Sequence, residues 1–205
     1  WDPLRPIGMS IYSSIPFRLH VPPESIILIN ILVITTAAYF FISLLKTLAP
    51  RVPRSVRVGA VAVPLAIFLG DPTRSALSEA PATAAALLAL VLGARLLLDD
   101  TPDAAGPRQR LQAPLAGGAA GAALLLRSFY LHPLLPWAAA CCGALLWQRG
   151  RLALRPVALL LLPLALAIST QLCWTWRYTD KWAFIDPAQK ARWTEMHFSS
   201  SYIGY

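Results

Sequence analysis

PPESIILINILVITTAAYFFISLLK, residues 22–46, decides the fold class. Pro22, Pro23 and Glu24 make a helix start, because proline fits a first turn and a carboxylate suits the positive end of the helix dipole. From Glu24 to Leu45 the run is apolar and long enough to span about 30 Å at ~1.5 Å per residue. Lys46, Arg51, Arg54 and Arg57 close it, and Pro50 and Pro53 break the helix. The stretch reads as a transmembrane helix.

The composition agrees with it along the whole chain. Of 205 residues, 57% are hydrophobic and only 14% charged, with a mean hydropathy of +0.56. An ordinary soluble domain carries about 25% charged residues. A chain this apolar cannot cover a water-facing surface, nor does it have the polarity of a disordered one. Its 18 prolines exclude one long coiled coil, since each costs about 3 kcal/mol inside a helix. The fold class is therefore all-α, a polytopic transmembrane helical bundle.

Working outward, residues 1–23 read as an outward loop with a short interfacial helix over Met9–Ile15. Val58–Leu69 is apolar but short, at roughly 20 Å of helix. Glu79–Leu98, rich in Ala and Leu, is a second clear span. Leu111–Leu126 follows a polar loop and carries Gly117 and Gly121, a GxxxG spacing that allows close helix packing. Leu124 is expected to tolerate change better than Gly121 if it faces lipid. Arg127–Pro133 interrupts the apolar pattern, Leu134–Gln148 resumes it, and Pro156–Cys173 is the last span. The segment 24–173 is thus the transmembrane region, with six apolar segments. Residues 174–205 form an outward amphipathic tail, with Trp174, Trp176, Tyr178, Trp182 and Trp193 at a membrane exit. Such rings suit an aromatic belt, and also sugar stacking.

Lys and Arg in the short loops set the orientation. One side holds Lys46, Arg51, Arg54 and Arg57, then Arg95, Arg108 and Arg110, then Arg149, Arg151 and Arg155. The short loops on the other side hold only Arg74 and Arg127. The first side is read as cytoplasmic, and both ends of the chain as outside or periplasmic, in a bacterial inner membrane. The formal charge of +8 is spread between apolar runs, so no nucleic-acid partner is expected. Cys141, Cys142 and Cys173 match no zinc or haem spacing and read as small hydrophobes. No cofactor is indicated, and a divalent metal is left open. No Walker loop, HExxH or Gly-x-Ser-x-Gly is present. No run of paired ionisable residues crosses the membrane as a proton relay needs.

The outward loops hold the candidate chemistry. Arg127 ends an apolar segment and leads into Phe129 and Tyr130. An arginine at that depth costs a few kcal/mol unless it snorkels or meets an anion such as a lipid phosphate. Glu79 begins a helix, where the dipole favours a carboxylate in any case.

The order of these pieces resembles a family. Asp2-Pro3-Leu4-Arg5-Pro6-Ile7-Gly8 followed by Met9–Phe17 is similar to the "RPPGYP" element in the first outer loop of polytopic glycosyltransferases of the C superfamily. That superfamily includes the protein O-mannosyltransferases and the lipid A aminoarabinose transferase. Leu77-Ser78-Glu79 resembles their "LSE" element, and Gly117–Leu126 with Arg127 and Pro133 resembles their "GLLLGLAxLxRP" hairpin. Arg149–Arg155 before a Leu-rich span, then Arg177 and His197-Phe198-Ser199, follow the usual order. Met9 stands where the family has tyrosine, and Ser128–His132 is inserted between arginine and proline.

The resemblance implies an integral membrane transferase that takes its sugar from a polyprenyl-phosphate carrier at the outer face. It implies phosphate contact by Arg5, Arg74 and Arg127, with Glu79 in a supporting polar role. The family's catalytic Asp or Glu lies beside a helix that precedes the first outer loop. Asp2 is too close to the Arg-Pro element to stand in for it. Either that residue lies upstream of Trp1 in a longer chain, as the abrupt ends suggest, or the chain has none. The catalytic residue is therefore unassigned. The alternative is a non-catalytic accessory or scaffold subunit of a larger membrane complex, docking through its aromatic tail. A lipid- or ion-handling protein is a third reading.

Overall fold

The computed structural model describes residues 7–22, 25–69, 79–98 and 107–184. Among them run seven α-helices: α1 (Ile7–Arg18), α2 (Ser25–Leu48), α3 (Arg54–Leu69), α4 (Glu79–Leu98), α5 (Pro107–Leu126), α6 (Leu131–Arg149) and α7 (Leu154–Thr179). Two short 3-10 turns, Ser128–Tyr130 and Gly150–Ala153, separate α5 from α6 and α6 from α7. The described residues contain no strand.

Among the described residues, three stretches are long and apolar enough to cross a membrane: Ser25–Leu48, Pro81–Leu98 and Leu131–Thr179. The third takes in both α6 and α7. Its break falls at Gly150, with φ 55 and ψ −132, a conformation that only glycine adopts without strain. The 19 residues of α6 then make about 28 Å of helix, and the 26 of α7 about 39 Å. Each is enough for one crossing.

The helices α2, α6 and α7 each bury one stripe. On α2 it is Asn30, Ile34, Ala37, Ala38 and Leu44, while Leu28, Leu32 and Tyr39 on other faces are exposed. On α6 it is Leu134, Ala138, Cys141 and Leu145, and on α7 Leu160, Leu164, Ala167, Gln171 and Thr175. These spacings of three and four residues are one face of a helix.

Alanine shares the centre of the bundle with leucine. Ala82, Ala86 and Ala89 of α4 and Ala113, Ala116, Ala120 and Ala123 of α5 are all buried. Where lipid is as apolar as the protein, tight backbone approach and dispersion supply the adhesion, and small residues permit it. The α5–α7 contact is the extreme case. A Cβ on Gly117 would fall on the Leu160 carbonyl, and one on Gly121 would come 2.9 Å from the Cβ of Ala167. The small-residue spacing in the sequence is therefore a helix interface. Leu124 is fully buried, so the expectation of tolerance there does not hold.

The contacts fix the direction of the helices. Arg95 on α4 reaches Ser43 on α2, and Ile34 and Ala37 pack with Ala84, so α2 and α4 run parallel. Tyr130, just past α5, bonds Thr83 near the start of α4, so α5 runs back. Trp137 and Cys141 of α6 lie against Gly93, so α6 follows α4. Leu160 and Ala167 of α7 lie beside Gly117 and Gly121, so α7 follows α5. One end of the bundle thus gathers the starts of α2, α4 and α6, and the other gathers their ends.

The helices extend past the sequence expectation in places. The N-terminal segment contains the helix α1, longer at both ends than the short helix expected over Met9–Ile15. α7 continues through Trp174, Trp176 and Tyr178, which belong to the helix rather than to a separate tail. Positions 185–205 of the expected tail lie outside the described residues.

Candidate functional site

The end that gathers the starts of α2, α4 and α6 holds polar side chains sunk among apolar helices. Asn30 is fully buried one and a half turns into α2, and Gln171 and Thr175 are buried near the end of α7. A buried amide left without partners forfeits its hydration. The N-terminal helix supplies partners for both amides. The Tyr12 hydroxyl donates to Asn30 Oδ1, and the Ile7 backbone N–H donates to Gln171 Oε1 at 3.2 Å. Gln171 Nε2 in turn donates to Thr175 Oγ1 at 3.3 Å, and that hydroxyl donates back to the Gln171 carbonyl at 3.0 Å.

Glycine seats α1 in this position. A Cβ at Gly8 would come 2.6 Å from the Leu125 backbone, so α1 lies directly on the end of α5. Pro16 is fully buried, while Ile11 and Phe17 are exposed. α1 is therefore clamped on one side while Ile11 and Phe17 stay exposed, as apolar residues of an interfacial helix would be. Burial pushes the Tyr12 phenol up to about 12, so it remains a neutral donor.

Arg127 sits at the same end, where the chain leaves α5. Its backbone is extended, φ −147 and ψ 109. Its N–H still donates to the Ala123 carbonyl at 2.9 Å, and its carbonyl accepts from Tyr130 N–H at 3.1 Å. The residue is half-buried. The Tyr130 hydroxyl is shared with Thr83 at 2.7 Å, which ties the α5–α6 break to α4. Pro133 falls in the first turn of α6, where no N–H is needed. Arg127 thus places a half-buried guanidinium a few residues from the Leu125–Gly8 contact.

Of the other residues singled out by sequence, Arg5 and Arg74 lie outside the described residues. Glu79 is the first residue of α4, and its side chain is outside the description. Asn30, Tyr12, Gln171 and Thr175 were not singled out. A signal for Asn30 and Gln171 exists, an amide interrupting an otherwise apolar run.

Close by, α7 ends in an aromatic group. Trp174 packs against Tyr178 with centroids 4.6 Å apart, and Trp176 stacks on Trp182 at 5.3 Å with 17° between rings. Asp180 closes the helix in the left-handed region, its N–H donating to the Trp176 carbonyl at 2.9 Å.

The opposite end is different in kind. Arg95 lies over the Phe40 ring, 5.6 Å from its centroid, while its Nη2 donates to Ser43 Oγ at 2.8 Å. Arg149 donates to the Leu96 carbonyl at 3.2 Å, satisfying the end of α4 where a cation also suits the dipole. These arginines clip helices together. No group of three His, Cys, Asp or Glu stands together among the described residues. Compared with protein-family models, curated proteins and solved structures, the chain has no match.

Proposed function

We propose that this chain is the membrane core of a glycosyltransferase-like protein that uses a polyprenyl-phosphate-linked sugar at the outer face. The observation that carries the reading is Arg127, half-buried at a helix break, at the end where α1 docks onto the buried polar set. A carrier phosphate at that depth would meet a guanidinium able to grip two of its oxygens. Charge-assisted donors there would stabilise the phosphate as it departs. Arg5 and Arg74 are further phosphate contacts in this reading, with Glu79 supporting them. The acceptor hydroxyl would be activated by a carboxylate outside the described residues.

The same reading takes α2 to α7 as six crossings. It is supported by the alternation of the helices and by the crowding of Lys and Arg at the end opposite Arg127. That end is then cytoplasmic and the Arg127 end periplasmic.

The test is transfer of labelled sugar from a polyprenyl-phosphate donor in membranes carrying the full-length protein. A buried charge-assisted contact to phosphate is worth roughly 1.5–3 kcal/mol. Arg127→Gln should therefore weaken donor binding by about one to two powers of ten. Arg127→Lys keeps the charge without the fork and should recover part of it. Arg151→Gln, exposed at the opposite end, should leave transfer unchanged. Full transfer by Arg127→Gln would remove the phosphate role. No transfer by the unaltered protein with any donor would favour an accessory subunit instead.

A further inference from the structure

We propose that the corner between α2 and α3 binds the phosphate of an anionic phospholipid. The corner lies at the basic end, remote from Arg127. Its central residue is Arg57, in the first turn of α3, whose backbone N–H donates to the Pro53 carbonyl at 3.1 Å. The Nε and Nη1 atoms of Arg57 are both shielded from solvent and have no hydrogen-bond partner. A guanidinium carries a positive charge spread over its planar fork of donors. Two shielded donors on a fixed charge call for an anion.

The described residues around it supply none. Among the described residues no carboxylate lies at this end of the bundle. The neighbours are cations instead: Lys46, Arg51 and Arg54, all exposed. Arg54 and Arg57, three residues apart on a helix, share one face. Both stand in the first turn of α3, where the dipole opposes positive charge. The group is unfavourable by itself in two ways, and one anion placed among these side chains relieves both.

A phosphodiester fits this charge and shape. It carries a single negative charge on two free oxygens, the spacing a guanidinium fork matches. The corner directly follows the Ser25–Leu48 span, at the depth where headgroup phosphates lie. Leu48, Val56 and Val58 are exposed beside it and would lie along the acyl chains. Basic pockets between membrane helices take anionic headgroups in this way. The rival anion is the chain's own: Asp99, Asp100 and Asp103, in the next connection at this end, lie outside the described residues.

The experiment uses the full chain in nanodiscs of phosphatidylcholine alone or with phosphatidylglycerol, reading thermal unfolding and the lipid retained in native mass spectrometry. A lipid that binds only the folded protein raises the unfolding midpoint. Phosphatidylglycerol should raise it by a few degrees and remain bound as one or two copies. Arg57→Gln should lose both effects, and Arg57→Lys should regain part of them. Arg155→Gln, exposed at the same end, should keep both, which separates a site from a general surface field. Should Arg57→Gln fail to fold, Arg54→Gln gives the same reading from an exposed position, with a partial loss expected. Inorganic phosphate added to phosphatidylcholine discs should do nothing. A midpoint indifferent to phosphatidylglycerol, as internal neutralisation by the aspartates would give, overturns the proposal. So does an Arg57→Gln variant that keeps the increment, or an equal effect from inorganic phosphate.

Discussion

Asn30 and Tyr12 show how one polar residue inside an apolar helix organises its surroundings. Leucine at position 30 would need nothing, whereas the amide needs donors and acceptors that lipid cannot offer. Tyr12 answers it from an element outside the span, which holds α1 against the bundle. Interhelical hydrogen bonds in membrane proteins average about 0.6 kcal/mol, reaching about 1.7. A double-mutant cycle of Tyr12→Phe and Asn30→Leu, read by unfolding in detergent, should show a coupling of about 0.5–1.5 kcal/mol. Coupling near zero would mean that the hydroxyl does not hold α1. The phenol adds a pH signature. Its pKa in the folded protein is about 12 against an ordinary 10.0, so the folded state keeps the proton that the unfolded chain releases. Its contribution to stability is complete below pH 10 and falls as the pH rises toward 12. Tyr12→Phe should remove this fall, and a fall of unchanged size would assign it to other groups.

The elements show which parts of the sequence carried their own instructions. Glu79–Leu98 was legible to the residue, because apolar length and polar flanks at both ends define a span without help from neighbours. The polar extensions of other helices were not. α3 begins at Arg54 and α5 at Pro107, through residues whose charge suggests loop but which can remain helical where the helix end meets water. The glycines of α5 were legible as a pattern, but the sequence could not say which of them touch. Gly117 meets the Leu160 carbonyl and Gly121 meets Ala167, whereas nothing lies within 4 Å of a Cβ on Gly118. Alanine is therefore expected to have opposite effects at adjacent positions. Gly118→Ala should stabilise the detergent-solubilised protein by about 0.5–1 kcal/mol through helix propensity. Gly117→Ala must push α5 from α7 and should destabilise it by about 1–3 kcal/mol. Gly121→Leu should be at least as damaging, with Ala122→Leu, on an exposed position, as its mild counterpart. Similar outcomes for Gly117→Ala and Gly118→Ala would mean that α5 and α7 do not pack through this face.

For the whole molecule, the two ends were legible by different signals and to different depths. The basic end was visible as charge, although its use as a set of clips, Arg95 on Phe40 and Arg149 on Leu96, depends on helices that meet only in three dimensions. The other end was visible through Arg127, Glu79 and the aromatic run from Trp174, but its buried polar set was not, because the amides and hydroxyls that pair there come from α1, α2 and α7, up to 164 positions apart. If the six-crossing arrangement is right, these ends face opposite sides of the membrane, and labelling in intact cells tests that directly. The background must first lose Cys141, Cys142 and Cys173, the last of which is exposed. Single cysteines then replace Ser55 and Gln148 at the basic end and Lys181 at the other, all exposed positions. Gly150 is avoided because its positive φ would strain any other residue. An impermeant thiol reagent should modify Lys181→Cys in intact cells, and reach Ser55→Cys and Gln148→Cys only after the membrane is opened. Helices that alternate in direction tie the three positions together. Labelling of Gln148→Cys from outside together with Lys181→Cys would leave no way for α6 and α7 each to cross once, and the six-crossing arrangement would fall with it.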